Sequence, residues 1–345
     1  MAVLALVVAG AVIVASHQSS SAARKVAARA PKAAGPTPAA AAPTPPAASH
    51  TPPAPAAPQA VASISSISQG RTIALGGTPG GLTADASGNI WVSFPGSGAV
   101  ARVAPTTGQM QTFHVGGQPT AIAAAFDRIW VAGSSLAPLA SLNILTGQPL
   151  STTPLRSAPS AIAVNTSDQG VCTIDSTGVL THLSSTGIVA GAAKLTHPAT
   201  GVGCGEGWAW AVEPSPPALF RMSDVGGPAR KFDGGPAPIA ITFDQGVWIA
   251  NRDGTVTAFN PALSQLRVDR RLTVAPELDG IYAVENDPSV WAFSRQTRSL
   301  YRISNTARPS DTATVVFNSP PVAIVRVAQS VWVATQDGHL TQINY

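Results

Sequence analysis

Short apolar runs recur along this chain at near-regular intervals, each centred on a tryptophan. They read Ile90-Trp91-Val92, Ile129-Trp130-Val131, Ala209-Trp210-Ala211, Val247-Trp248-Ile249, Val290-Trp291-Ala292 and Val331-Trp332-Val333, with Val171-Cys172-Thr173 in third place. From anchor to anchor the steps are 39, 42, 38, 38, 43 and 41 residues. The surroundings of each anchor repeat as well. A loop containing Pro leads into an apolar inner strand such as Thr120-Ala121-Ile122-Ala123. A tight turn such as Phe126-Asp127-Arg128 precedes the Trp strand, a third strand such as residues 140–144 follows, and a Thr-Gly or similar turn opens a fourth, outer strand. Alternation within the strands is imperfect, as expected where both faces are packed. A period near 40 with four short strands per unit predicts an all-β, seven-bladed β-propeller of four-stranded blades. One unit alone has too little apolar surface to fold, so the units must stack.

The ends of the array predict how the ring closes. The last unit stops at residues 340–345, in its third strand. An unmatched strand, Gly70-Arg71-Thr72-Ile73-Ala74-Leu75-Gly76, precedes the first complete unit and resembles the outer strand Gln111-Thr112-Phe113-His114-Val115-Gly116. The N-terminal strand is therefore expected to complete the C-terminal blade, removing the exposed edges of an open sheet.

Upstream of the repeats the pattern changes twice. Residues 1–16 are almost wholly apolar and uncharged, shorter than the roughly 20 residues a spanning helix needs. Two readings stand: a signal peptide or signal anchor without the usual positive n-region, or the end of a longer transmembrane helix whose upstream part lies outside this sequence. Arg24, Lys25, Arg29 and Lys32 follow the apolar run, an order that the positive-inside rule places in the cytoplasm. Residues 31–60 hold 10 Pro and 12 Ala, which forbids a continuous helix and predicts an extended spacer; the competing reading is a disordered tail with no spacing role. An apolar anchor (1–16), a basic then Pro/Ala-rich linker (17–66) and a propeller (67–345) make the expected layout, with the propeller outside the cytoplasm on a single-pass anchor, or secreted. No Asp or Glu precedes Asp85, so the other 17 basic residues balance all 17 acidic ones and the folded part is formally neutral. That argues against a nucleic-acid partner, which would need a basic face.

The run Pro79-Gly80-Gly81-Leu82-Thr83-Ala84-Asp85, then Gly88-Asn89-Ile90-Trp91-Val92, Arg102-Val103 and Thr107-Gly108, resembles the repeat of NHL-type and streptogramin-lyase-like propellers. The resemblance implies the fold, and it implies one of several functions: lyase, lactonase-like enzyme or non-catalytic binding module. It also extends to the extracytoplasmic sensor domain of bacterial receptor Ser/Thr kinases, although no kinase motif is present in these residues. For streptogramin lyases it implies a His-based, metal-assisted site near the central channel. No matching cluster is visible: His114 falls in an outer strand, His182 in a third strand and His339 at the start of the final strand, leaving only His197 in a channel-mouth loop.

Candidate chemistry concentrates in blade 6. Its leading loop, Pro276-Glu277-Leu278-Asp279-Gly280, is the only such loop with two carboxylates, which can bind a hard cation or shift one another's pKa. Arg295 and Arg298 follow, Arg252 and Asp253 come from blade 5, and Glu213 and His197 from blade 4. Glu277, Asp279, Arg252, Arg295, Glu213 and His197 are therefore candidates for a ligand-binding patch at the channel mouth, against the bland reading of solvated loop charges. Asp253-Gly254 and Asp337-Gly338 read as turns. Cys172 replaces one Trp, and Cys204 lies in the inner strand of the next blade, so a disulfide between them is open, as is a pair of buried thiols. The expectation is a membrane-tethered, non-catalytic, sensor-type binding module for an extracytoplasmic protein, cell-wall or small-molecule ligand, without a cofactor. The alternative is a lyase-like or lactonase-like enzyme using a divalent cation at the channel mouth.

Overall fold

Each anchor triplet sits in a strand that its neighbours bury. In Ile90–Phe94, Val171–Asp175 and Val247–Asn251 every residue is buried. The computed structural model describes residues 66–134, 139–165, 169–243, 246–260, 266, 268–283, 289–304 and 312–345. The expected anchor (1–16) and the expected linker up to residue 65 lie outside the described residues. Among the described residues no helix is long and apolar enough to cross a membrane.

The strands form seven antiparallel four-stranded sheets, each in simple order from inner to outer strand. Blade 1 comprises Leu82–Ala84, Ile90–Phe94, Ala99–Val103 and Met110–His114; blade 2 comprises Gln118–Ala125, Arg128–Ser134, Leu139–Asn143 and Pro149–Thr153. Blade 3 comprises Pro159–Val164, Val171–Asp175, Val179–Leu183 and Val189–Lys194; blade 4 comprises Gly201–Gly205, Trp208–Pro214, Pro217–Ser223 and Arg230–Phe232. Blade 5 runs from Pro238–Phe243 to Val268–Thr273, and blade 6 from Gly280–Ala283 to Thr312–Val316. Blade 7 takes three strands from Pro321–Val327, Ser330–Thr335 and His339–Asn344, and its outer strand is Ser68–Ala74. The closure expected from the sequence is thus realised, with Thr72 opposite Thr341 and Ile73 opposite Leu340. The Thr72 and Thr341 hydroxyls meet at 3.2 Å, and the Leu75 amide donates to Gly338 O at 2.8 Å.

Seven apolar clusters fill the seams between blades, and each holds one anchor: Trp91, Trp130, Cys172, Trp210, Trp248, Trp291 or Trp332. An anchor packs against the following blade, as Trp91 does on Ile122, Ile129 and Val131. Burying one Trp removes about 150–250 Å² from water, worth roughly 4–6 kcal/mol as an upper estimate. The inner strands contribute a ring to the same clusters: Leu82, Ile122, Ile162, Val202, Ile241, Ile281 and Ile324, each paired with the residue following an anchor.

Across the sheet from the anchor the pattern extends to a second residue. Trp91 faces Arg102, Trp210 faces Arg221 and Trp291 faces Arg302 in the register of strand pairs. Each guanidinium lies over its ring, at 5.7, 5.5 and 5.8 Å from the centroid. In blade 3 the same pair is Cys172 and His182.

Candidate functional site

The loop leading into each inner strand and the turn leaving each anchor strand share one face of the propeller, and this face carries the candidate charges. Glycine turns hold the loops there. Gly98, Gly178, Gly254 and Gly338 have φ between 61° and 85° and accept amide hydrogens from the loop leaving their own blade. At Gly254 the requirement is strict, since an added Cβ would lie 1.7 Å from Ala275 O. This contact fixes the start of the blade 6 leading loop. In blade 6 itself the equivalent turn residue is Arg298, at φ 54°. It accepts the Phe317 amide hydrogen like the glycines, and its Nη1 donates to Asn318 O at 3.2 Å. A long side chain in the left-handed region carries strain of order 1–3 kcal/mol, and such strain clusters at functional sites. Alignment of the four turn glycines against Arg298 is the sequence signal that would have found it.

The six candidate residues resolve into three local pairs. Glu213 is fully buried; it accepts the His197 amide at 2.8 Å and the Thr196 hydroxyl at 3.3 Å, and stands 3.4 Å from His197 Nδ1. Asp279 accepts the Arg295 amide at 2.6 Å, while its own amide donates to Phe293 O at 2.9 Å. Arg252 and Glu277 form an ion pair at 3.7 Å, with side chains 65% and 31% exposed. No hydrogen bond or ion pair among the described residues joins these pairs into one patch. The two carboxylates of blade 6 take different partners, one a guanidinium and the other a backbone amide.

The other histidines take separate places. His339 Nδ1 lies 3.1 Å from Asp337 on the same face. Burial pushes the Asp337 carboxyl upward, but the Thr335 hydroxyl at 2.6 Å and His339 outweigh it and hold it below its ordinary value. His114 ends an outer strand in solvent, and His182 is buried at the seam of blades 3 and 4. There Cys172 and Cys204 are joined by a disulfide with a Cα separation of 5.8 Å.

Two cavities complete the face. The central channel, about 460 Å³, is walled by inner-strand triplets from all seven blades, from Leu82 to Arg326. Its wall polar groups are used between blades: Thr83 accepts the Ala124 amide, Thr242 that of Ala283, and the Tyr282 hydroxyl that of Arg326. Burial pushes the Tyr282 hydroxyl above its ordinary value, against the weaker pull of Arg326. Arg326 is the sole charge among the lining residues, and its Nε donates to Ala328 O at 2.7 Å, toward the far face. A second cleft of about 570 Å³ lies beside blade 3, lined by Leu155, Arg156, Asp175, Val179 and Lys194 among others. Asp175 holds its turn through Thr177 and the Val179 amide, and the Lys194 ammonium donates to Thr177 O. Sequence reading missed this cleft, because its walls come from a loop and four strands that only the fold assembles.

No protein-family profile matches the chain, and no curated protein does so either. Solved structures do match. A streptogramin B lyase superposes with TM-score 0.67 at 14% identity, covering 81% of this chain and 97% of that one. Virginiamycin B lyase from Staphylococcus aureus gives 0.69 at 13% identity, with 81% and 99% covered. Hydrazine synthase from Kuenenia stuttgartiensis gives 0.66 at 11%, with 78% and 96% covered. Identities this low, shared with proteins of unlike chemistry, establish the seven-bladed propeller fold alone.

Proposed function

We propose that this chain is a non-catalytic binding module of the sensor type, whose loop face receives an extracytoplasmic protein, cell-wall or small-molecule ligand. The observation that carries this reading is the state of the face carboxylates. Glu213 is buried and brackets the Thr196–His197 loop, and Asp279 brackets the Arg295 turn. A group committed to holding backbone amides makes a poor proton shuttle. Arg252, Glu277 and the open cleft beside Arg156 are left to face solvent as recognition elements. Tethering outside the cytoplasm rests on the apolar run 1–16 and the Pro/Ala-rich spacer that follows it.

A second reading keeps one supporting observation. His197 is half exposed on the face and oriented by a buried carboxylate, the arrangement of a histidine base. Under this reading the chain is a lyase-like or lactonase-like enzyme with a divalent cation at the channel mouth. The discriminating experiment incubates the protein with a streptogramin B depsipeptide and Mg²⁺ and follows ring opening by mass spectrometry, beside calorimetric titration of Mg²⁺ and Ca²⁺ into wild type, Glu277→Ala and Asp279→Ala. The binding module gives no turnover and no stoichiometric cation site dependent on those carboxylates. Turnover lost in His197→Ala would replace it with the enzyme.

A further inference from the structure

The seam between blades 3 and 4 departs from the repeat at its anchor, and two further metal-ligating side chains meet it there. Where other anchors are Trp, blade 3 has Cys172; where three blades place Arg across from the anchor, blade 3 places His182. The inner strand of blade 4 supplies Cys204, at the position held by Ala84, Ala124 and Ala283 in blades 1, 2 and 6 and by Val164, Phe243 and Arg326 in blades 3, 5 and 7. One ligand atom from each of Cys172, His182 and Cys204 lies within 4.8 Å of the other two, and the residues are 0%, 3% and 5% exposed.

One ring nitrogen of His182 is already committed to the backbone. Its Nδ1 stands 2.8 Å from Asp224 O, and since a carbonyl oxygen only accepts, Nδ1 carries the proton and Nε2 the lone pair. A ring nitrogen held by a backbone carbonyl while the other bears the lone pair is the usual support of a metal-bound imidazole. The blade 4 turn that brings Asp224 in is seated on Gly191, whose added Cβ would fall 2.4 Å from Gly226 Cα. That contact leaves no room for a side chain opposite His182.

We propose that in its dithiol state this trio is a buried site for one thiophilic divalent cation, of which Zn²⁺ is the natural example, and that the disulfide is its closed form. The trio supplies three of the four ligands of a tetrahedral ion, with a neutral water or hydroxyl as the fourth; two thiolates cancel the charge of a dication, so the complex can sit in an apolar cluster without an uncompensated charge. Soft sulfur ligands favour Zn²⁺ over hard cations. Two thiolates at about 2.3 Å from one tetrahedral ion stand roughly 3.8 Å apart. A Cα separation of 5.8 Å accommodates that by rotation about the Cα–Cβ bonds. A dithiol reductant gives two electrons and two protons to the Cys172–Cys204 bond and becomes a disulfide itself; the metal then displaces both thiol protons to solvent. The site is separate from the loop face and independent of the binding role assigned to it.

The test compares the oxidised protein with protein reduced by a phosphine and freed of metal, both checked for fold by circular dichroism. Reduced wild type should take up one equivalent of Zn²⁺, and Co²⁺ in its place should show a thiolate-to-cobalt charge-transfer band; the oxidised protein should bind none. His182→Ala, with both thiols intact, should weaken binding by more than the about 10–100-fold that loss of a supporting partner costs. Cys204→Ala should abolish the band. Should reduction loosen the fold, Zn²⁺ should raise the melting temperature of reduced wild type and leave His182→Ala unchanged. Failure of reduced wild type to bind Zn²⁺ or gain stability from it overturns the proposal, as does equal binding by either variant.

Discussion

The seam between blades 1 and 2 and the seam between blades 3 and 4 solve the same packing problem by different means. At the first, Trp91 is fully buried on Ile122, Ile129 and Val131, stacks on Phe113 at 5.6 Å, and donates its Nε1 hydrogen to Asp85 at 2.9 Å. Asp85 also accepts the Ser87 and Asn89 amides, so one buried carboxylate ties the anchor to the turn before it. The wall side chain Thr83 adds a bond to the next blade through the Ala124 amide. At the second seam no ring is present at the anchor. The cluster mixes Ala193, Ala199, Ala209, Ala211 and Ala218 with Ile174, Leu180, Phe220 and Met222, and the blades are joined covalently through Cys172 and Cys204. The difference teaches that a repeat position is conserved in this chain as a function, the clamping of one blade on the next, rather than as a residue. A large apolar surface and a covalent bond are two physical routes to it.

Truncating the ring should test the first route most severely. Trp91→Ala deletes a fully buried indole, strands Asp85 and should lower stability by about 3–5 kcal/mol, read from the urea midpoint. Breaking the second route should come close to it. With cysteines 32 residues apart, loop-closure entropy puts the loss in Cys172→Ala at about 3–4 kcal/mol, or roughly 5–10 °C in thermal melting. Should Cys172→Ala melt like wild type, the covalent bond would carry no clamping role and the comparison would fail.

Smaller effects sharpen the same contrast. Trp130, Trp210 and Trp291 keep a buried Nε1 without an acceptor, so Asp85→Ala would turn the Trp91 seam into their kind. The expected cost is about 1.5–3 kcal/mol, most of it from orphaned turn amides, measured by calorimetric melting. The smallest change concerns the channel wall between blades 6 and 7, where Tyr282 accepts the Arg326 amide. Tyr282→Phe should lose about 1 kcal/mol at neutral pH. Its pH signature has a definite sign. The folded hydroxyl titrates above the ordinary value of 10.0 because burial disfavours the phenolate. The unfolded chain therefore ionises first, and stability present below pH 10.0 is lost as pH rises beyond it. Urea midpoints should fall more steeply above that pH in wild type than in Tyr282→Phe; parallel curves would remove Tyr282 as the cause.

Much of the fold was legible because its signals are local. A Trp triplet, a Pro before it and an Asp-Gly turn after it are each short-range features, and repetition made them additive. Even the ring closure was legible, since Arg71–Leu75 matches other outer strands and the last unit lacks one. The candidate site was legible only as a set of residue types. Glu277 and Asp279 look equivalent in sequence, yet one meets Arg252 and the other an amide of the Arg295 turn. Glu213 looks like a loop charge, yet it is the second-last residue of a buried strand and is fully enclosed. Hydrogen-bond partners are set by which backbone groups the loops leave unpaired, and sequence spacing does not encode that.

The sequence by itself determined that seven apolar units of about 40 residues must stack into a closed ring, because period and apolar surface leave few other ways to bury the strands. Tertiary structure alone decided the rest. It seated Arg298 in a glycine conformation, opened a cleft beside Arg156, split the face charges into separate pairs, and brought His182 to the Cys172–Cys204 pair. Those outcomes depend on distances between residues far apart in the chain, and only the packing of one blade on the next sets such distances.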